Sequence, residues 1–291
     1  MRLLHTAAWD RVPAAVFILS EIYITVFGGS KSILVAPPKI NVKCLNKTYP
    51  INGKSEGILE DIDFFVRQGE FVSIIGASGC GKSTFLNILA GLETHDSGLI
   101  EIDGISTDAR LGIVGYMQQK DLLLPWRTVL DNAILGLQIT GVARKIARTD
   151  ALNLIQQFGL SGFENQYPHA LSGGMRQRAA FLRTMLLNQS IILLDEPFGA
   201  LDALTKLNMQ EWLMDVCLNM NKTAVLVTHD IDEAILLSDR VYLLTSRPGR
   251  NAVILDIELE RPRDYGMVTG TIFSDLKKEL MYPLWEQIRA V

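Results

Sequence analysis

Cysteine is scarce: Cys44, Cys80 and Cys217 are the only three in 291 residues. The number is odd and no C-x-x-C pair occurs, which argues against a disulfide framework or a zinc site and fits reduced thiols. There is no excess of basic charge. Lys and Arg total 28 against 32 Asp and Glu, a net charge of −4, which gives no support for a nucleic-acid footprint, normally basic, and leaves only a local basic patch open. No clean membrane span is present. The nearest stretch, residues 12–29, is broken by Ser20, Glu21 and Thr25, whereas a spanning helix needs about 20 mostly apolar residues and a glutamate in mid-span is costly. As a signal peptide the same stretch, with Arg2 and Arg11 ahead of it, is interrupted at Glu21 and lacks an A-x-A site. Residues 1–39 therefore read as an uncleaved apolar extension, or as upstream sequence ahead of the true start. No internal repeat is visible.

What is present is a large apolar fraction, 48 % of the chain, enough for a sizeable core. Ala36-Pro37-Pro38-Lys39 reads as an extended linker. Residues 40–49 alternate loosely, like an edge strand, and 59–66 and 71–75 read as further strands. Phe71-Val72-Ser73-Ile74-Ile75 is almost wholly apolar, as a strand covered on both faces would be. The middle of the chain is helical in pattern. Thr128 can cap a helix with Asp131 three residues on, and Val129, Leu130, Ala133, Ile134 and Leu137 share one helical face. Ala147, Ala151, Leu154, Ile155 and Phe158 make a second face that ends at Gly159. Strand patterns return at 190–194, 224–228, 241–244 and 253–257. Strands alternating with helices predict an α/β layer with a largely parallel sheet, into which the helical middle is inserted.

Gly76-Ala77-Ser78-Gly79-Cys80-Gly81-Lys82-Ser83-Thr84 fits G-x-x-x-x-G-K-[ST] between an apolar strand and a helix. Glycines let backbone N–H groups wrap around phosphates, and the helix N-terminus adds positive dipole charge. Lys82 is suited to β- and γ-phosphates and the Ser83 hydroxyl to Mg²⁺. Cys80 reads as a small residue facing away. The apolar run 190–194 ends in Asp195 and Glu196. Asp195 can hold Mg²⁺ and Glu196 can take a proton from an attacking water, although acidic turns at strand ends are common. His229 follows the strand pattern 224–228, at the end of a strand where ligands gather in open α/β sheets; a lone histidine there is more often structural. Leu171-Ser172-Gly173-Gly174-Met175-Arg176-Gln177-Arg178 is a second phosphate-binding element at a helix start. Two such elements in a chain with one phosphate loop suggest a site shared between two copies.

Together these residues resemble the ATP-binding-cassette (ABC) ATPases over about residues 40–260, with every family motif in family order. The phosphate loop is 76–84, the glutamine loop Tyr116-Met117-Gln118-Gln119, the signature 171–177, the acidic strand end 191–196, the D-loop Gly199-Ala200-Leu201-Asp202 and the switch histidine His229. Tyr49 stands where the family places an aromatic that stacks on adenine. Counting back from Leu123-Leu124-Pro125-Trp126 favours Gln119 over Gln118 as the glutamine-loop residue. The signature departs from the family at its fifth residue, Met175, where glutamine is usual.

The resemblance implies a P-loop core of ABC type with an antiparallel β subdomain, a helical insertion at about 120–185 and a short helical tail over 261–291. It further implies ATP and Mg²⁺ as ligands and a head-to-tail dimer. In that dimer Ser172, Gly173 and Gly174 of one copy complete the site that the other copy builds from 76–84, Tyr49, Gln119, Asp195, Glu196 and His229, and Asp202 of the D-loop is also expected at the nucleotide. Residues 123–129, 197–202 and 246–250 look like the group of import ATPases for nitrate, sulfonate, taurine and pyrimidine-like thiamine precursors. That group works on the cytoplasmic face of the cell membrane with separate permease subunits and, indirectly, a solute-binding protein. Soluble ABC ATPases of translation and DNA repair are the alternative. Their paired cassettes, coiled coils or zinc cysteines are not found here, and no nucleic-acid partner is expected. A non-hydrolysing regulatory cassette is disfavoured by Glu196 and His229.

Overall fold

The computed structural model describes residues 15–19, 22–27, 30–35, 37–51, 53–199 and 201–289. Their strands fall into three sheets. Ala15–Leu19 (β1), Ile22–Phe27 (β2) and Ser30–Val35 (β3) form an antiparallel meander. The apolar stretch 12–29 thus lies partly outside the described residues, and its described parts are extended. Among the described residues no helix is long and apolar enough to cross a membrane.

The second sheet contains Ile40–Ile51 (β4), Lys54–Val66 (β5), Ser97–Ile102 (β7) and Ile105–Ser106 (β8), in the order β5-β4-β7-β8 and antiparallel throughout. β4 is therefore not the edge strand its loose alternation suggests. It is paired on both sides, and register shifts near Val42, Leu45 and Lys47 break the strict period that marks an interior strand.

The third sheet holds Phe71–Gly76 (β6), Gly115–Met117 (β9), Ile191–Asp195 (β10), Thr223–Val227 (β11), Arg240–Leu244 (β12) and Asn251–Asp256 (β13). Its order is β13-β12-β6-β11-β10-β9. Five strands are parallel, and β13 runs antiparallel at one edge. Every residue of β6, β10, β11 and β12 is buried, which is why these segments read as continuous apolar runs. β13 alternates half-buried and exposed residues, as an antiparallel edge with one solvated face does.

Lys82–Leu89 (α1) packs between the two larger sheets. Phe64 of β5 lies 5.1 Å from Phe85 and 4.7 Å from Tyr242, ring centre to ring centre. Each such side chain contributes about 1.5–3 kcal/mol by leaving water, so this contact fixes the start of α1 against both sheets. On the other face lie Val129–Ala133 (α2), Leu135–Ile139 (α3), Arg144–Ile155 (α4), Gly173–Leu186 (α5) and Ala203–Asn219 (α6). Thr128 caps α2 by accepting from the Asp131 N–H at 3.2 Å. Val129, Leu130, Ala133, Ala147, Ala151, Ile155 and Phe158 are buried along the two expected faces, and Gly159 takes φ +62° where the second ends. Ile231–Leu237 (α7) and Thr271–Arg289 (α8) cover the sheet beside β12 and β13. Phe273 and Leu280 are buried, with Leu276 and Leu284 packed against them, and the helix continues through Pro283. The side chain of Ile288 lies outside the described residues.

The decisive feature is strand order. β6, β11 and β10 are neighbours, although more than a hundred residues of sequence separate β6 from β10. Their C-terminal ends deliver Gly76, Thr228-His229 and Asp195-Glu196 to one edge of the sheet, where open parallel sheets bind ligands.

Candidate active site

The loop between β6 and α1 closes on its own lysine. Lys82 is buried, and its ammonium donates to the carbonyls of Gly76 at 2.8 Å and Ala77 at 3.0 Å. Gly81, the residue before α1, has φ +105°, and a Cβ there would lie 2.7 Å from Leu59 Cδ2 and 3.1 Å from the Ile58 carbonyl. Only glycine lets the helix start this close to β5. Cys80 is buried in the core beneath the loop, where burial pushes its thiol up from the ordinary range, so it is neither exposed nor primed as a nucleophile.

Above the loop is an open cavity of about 370 Å³, within the size of small-ligand pockets. It is lined by Tyr49, Ile58, Ser78, Gly79, Gly81, Lys82, Ser83, Thr84, Gln119, Glu196 and Arg247. Gly76, Ala77 and Cys80 form the floor of the loop and do not line the cavity. The half-buried Tyr49 donates its hydroxyl to the Glu93 carboxylate, and the Lys47 ammonium stands 5.0 Å from its ring centre.

Glu196 sits one residue beyond β10 with φ +46°, a conformation non-glycine residues rarely take. Its N–H donates to the Val227 carbonyl at 2.9 Å, so the ladder to β11 holds the strained residue. The result is a carboxylate aimed at the cavity. Gln119 Nε2 donates to Glu196 Oε2 at 3.1 Å, and His229 Nδ1 stands 3.4 Å from the same oxygen. Gln119, three residues after Tyr116 of β9, is thus the glutamine that meets the acidic strand end; Gln118 does not line the cavity.

Asp195 lies deeper and is buried. Burial raises its pKa, as does the neighbouring Glu196 charge, while the Ser83 hydroxyl, the Lys82 ammonium and Tyr116 work the other way. Its Oδ1 has no hydrogen-bond partner among the described residues. A buried carboxylate with a vacant oxygen beside a serine hydroxyl is a donor set that suits a hard divalent cation.

The signature residues stand elsewhere. Ser172 caps α5, its hydroxyl accepting from the Met175 N–H at 3.3 Å. Asp202 caps α6, accepting from the Thr205 N–H at 3.1 Å, and the Thr205 hydroxyl, together with that N–H, holds its carboxyl below the usual range. The two caps are adjacent: a Cβ on Gly174 would lie 3.0 Å from Thr205 Cγ2. Neither Ser172, Gly173, Gly174 nor Asp202 lines the cavity of its own chain.

Two features were missed by sequence reasoning. Ile58 and Arg247 line the cavity from β5 and from the turn after β12, and no spacing rule points to either. A partly buried cluster, with Glu233 fully inside, also links α6 to α7. Lys206 donates to Asp230 Oδ2 at 2.7 Å and lies 3.0 Å from Glu233 Oε2.

Burial pushes the Glu233 carboxyl up to about 7, against the pull of Lys206. Below pH 4.5, its ordinary value, the group is protonated in both folded and unfolded chains. From there to about pH 7 the unfolded chain releases the proton while the folded chain keeps it. Stability therefore falls as pH rises through this window, by up to about 3 kcal/mol, and then levels. Glu233→Gln should flatten this slope in denaturant titrations between pH 5 and 8; a wild-type slope in the variant would remove Glu233 as its source.

A phosphate loop at the start of a helix, two carboxylates at the end of the next-but-one strand and a polar residue after the strand between them define a P-loop nucleotide-binding ATPase domain. The ABC transporter family profile matches residues 59–199. Over 250 residues the chain is 41 % identical to an uncharacterized ABC transporter ATP-binding protein of Methanocaldococcus jannaschii, covering 86 % of this chain and 92 % of that protein. It is 43 % identical over 235 residues to the formylaminopyrimidine import ATP-binding protein of Halalkalibacterium halodurans, covering 80 % and 92 %. Among solved structures, it is similar to a dimeric ATP-binding cassette in a post-hydrolysis state bound to ADP and Pi. That match has a TM-score of 0.68 at 32 % identity and covers 76 % of this chain and 100 % of that one. The chain belongs to the ABC transporter family, as an ATP-binding cassette with ATPase activity.

Proposed function

We propose that this chain is the ATP-hydrolysing subunit of an importer, driving uptake of a small solute through separate permease subunits. The observation that carries this reading is the division of the site. Lys82, Ser83, Gln119 and Glu196 line one cavity, with His229 beside Glu196 and Asp195 buried next to it, while Ser172, its glycines and Asp202 lie together outside its lining. A second copy, placed head to tail, supplies them. The solved dimeric cassette with bound ADP and Pi supports that arrangement.

Within the pair, 76–84 cradles the phosphates and Lys82 neutralises the β- and γ-phosphates. Tyr49 takes the adenine and His229 the γ-phosphate. Ser83, Asp195 and Gln119 would hold Mg²⁺, and the unpartnered Asp195 oxygen supports this fit. The ion would supply charge neutralisation for the transferred phosphoryl group. Glu196 accepts the proton of the attacking water, and Gln119 orients it. Gln119 joins the helical layer to the site, so the state of the γ-phosphate is passed to α2–α5 and from there to the permease.

The solute belongs to the nitrate, sulfonate, taurine or pyrimidine-like class, in line with the pyrimidine-import relative. That relative favours import over a role in translation or DNA repair. We place the chain on the cytoplasmic face of the membrane as a peripheral subunit. Removing the chain should abolish uptake of one small solute, and the tagged chain should co-purify with membrane proteins. ATPase activity with no membrane partner and no uptake defect would reject the importer reading.

A further inference from the structure

The turn 245–250 after β12 takes no part in the chemistry described so far, yet it is built to a fixed shape against the phosphate loop. Thr245 N–H donates to the Arg250 carbonyl at 2.8 Å. Its hydroxyl donates to the Pro248 carbonyl at 2.8 Å and accepts from the Arg250 N–H at 2.9 Å. Gly249 is laced into β5 in both directions: its N–H donates to the Ile58 carbonyl at 2.8 Å, and its carbonyl accepts from Glu60 N–H at 2.9 Å. A Cβ on Gly249 would collide with the Cys80 carbonyl of the phosphate loop, so the turn lies directly on that loop.

This scaffold holds Arg247 at the mouth of the cavity. Among the described residues three charged side chains line the cavity, and they are Lys82, Glu196 and Arg247. Arg247 reaches it from the Tyr49 side. Its Nη1 stands 3.5 Å from Glu56 Oε2, and Glu56 is the register partner of Tyr49 across the β4–β5 ladder. The pair is loose and half exposed on both sides. Arg250, by contrast, is tied to Glu60 at 2.6 Å. A loosely held guanidinium beside a polyphosphate cavity is free to exchange a weak carboxylate partner for phosphate oxygens, which its planar fork fits well.

We propose that Arg247 is a nucleotide-binding residue. Its guanidinium engages the phosphate chain from the Tyr49 side, and Glu56 is the carboxylate that holds it until nucleotide enters. This rests on the reading of the cavity as the ATP site.

Calorimetric titration of the full chain with ATP and with ADP, in Mg²⁺ buffer, tests it. Arg247→Gln should raise both Kd values about 3–10-fold, since a charge-assisted contact is lost at a half-exposed, partly screened site. Arg247→Lys should fall between the wild type and Arg247→Gln, and Arg247→Glu should be weakest. Glu56→Gln should shift Kd the opposite way, about 2–5-fold tighter, because it frees the guanidinium without removing it. Added to Arg247→Gln, it should change nothing further. Unchanged affinity in Arg247→Gln overturns the proposal. So does weaker binding in Glu56→Gln, which would mean the pair only braces the turn. Thermal melts of the nucleotide-free variants separate a folding loss from a binding loss. Failure of the wild type to bind either nucleotide would instead remove the ATP reading itself.

Discussion

Glu196→Gln should lower ATP hydrolysis about 10²–10⁴-fold while ATP binding stays near the wild-type level. The range is that of a lost general base. Amide and carboxylate have the same shape, so the strained φ at residue 196 and the bond from its N–H to Val227 can persist. What is lost is the ability to take a proton. Binding is spared because the groups closest to the phosphates, Lys82 and the 76–84 loop, are anchored by contacts that do not involve Glu196. Steady-state phosphate release and nucleotide titration on the same preparation separate the two effects. Undiminished turnover would remove Glu196 from the role of base and turn attention to His229, 3.4 Å from it.

Two inactive variants should restore activity when mixed. Ser172→Arg places a bulky cation at a helix start meant for phosphate oxygens, and Lys82→Ala removes the charge that holds them. Each alone should cost at least about 10²-fold in turnover, the scale for losing a preorganised contact to developing charge. In a head-to-tail pair made of one of each, both lesions fall in the same site and the second site is intact. A one-to-one mixture should therefore recover up to about a quarter of wild-type turnover, since half the dimers are mixed and each has one working site. If each chain used its own Ser172, no recovery would follow. An ATPase assay of the mixture after re-equilibration decides between them.

The chemistry was more legible than the architecture. The phosphate loop, the acidic strand end and the signature are local strings whose backbone demands glycine, serine or a buried strand at fixed positions, so they announce themselves in sequence. β7 and β8 did not appear as strand patterns. Ser97–Ile102 exposes its first three residues, and Ile105–Ser106 is a two-residue strand, so neither carries a period long enough to see. β9 is three residues long and is strand only because β10 lies beside it. The edge reading of β4 failed because irregular register blurs alternation. The left-handed Glu196 and the placing of Arg247 depend on contacts between segments far apart in the chain, which no local pattern encodes. The proposed division of the site between two copies, by contrast, starts from a local signal, two phosphate-binding elements in a chain with one loop.

The sheet order has a mechanical meaning. β6, β11 and β10, which carry the loop, the histidine and the carboxylates, are each held on both sides, and β10 meets β11 over five register pairs. β9 hangs on the edge by three. The frame is thus stiff where bonds are broken and compliant at the rim that leads to Gln119 and the helices. Displacing β9 would break the fewest ladder pairs of any strand in this sheet, so the strand that leads to Gln119 is the one whose movement costs the frame least.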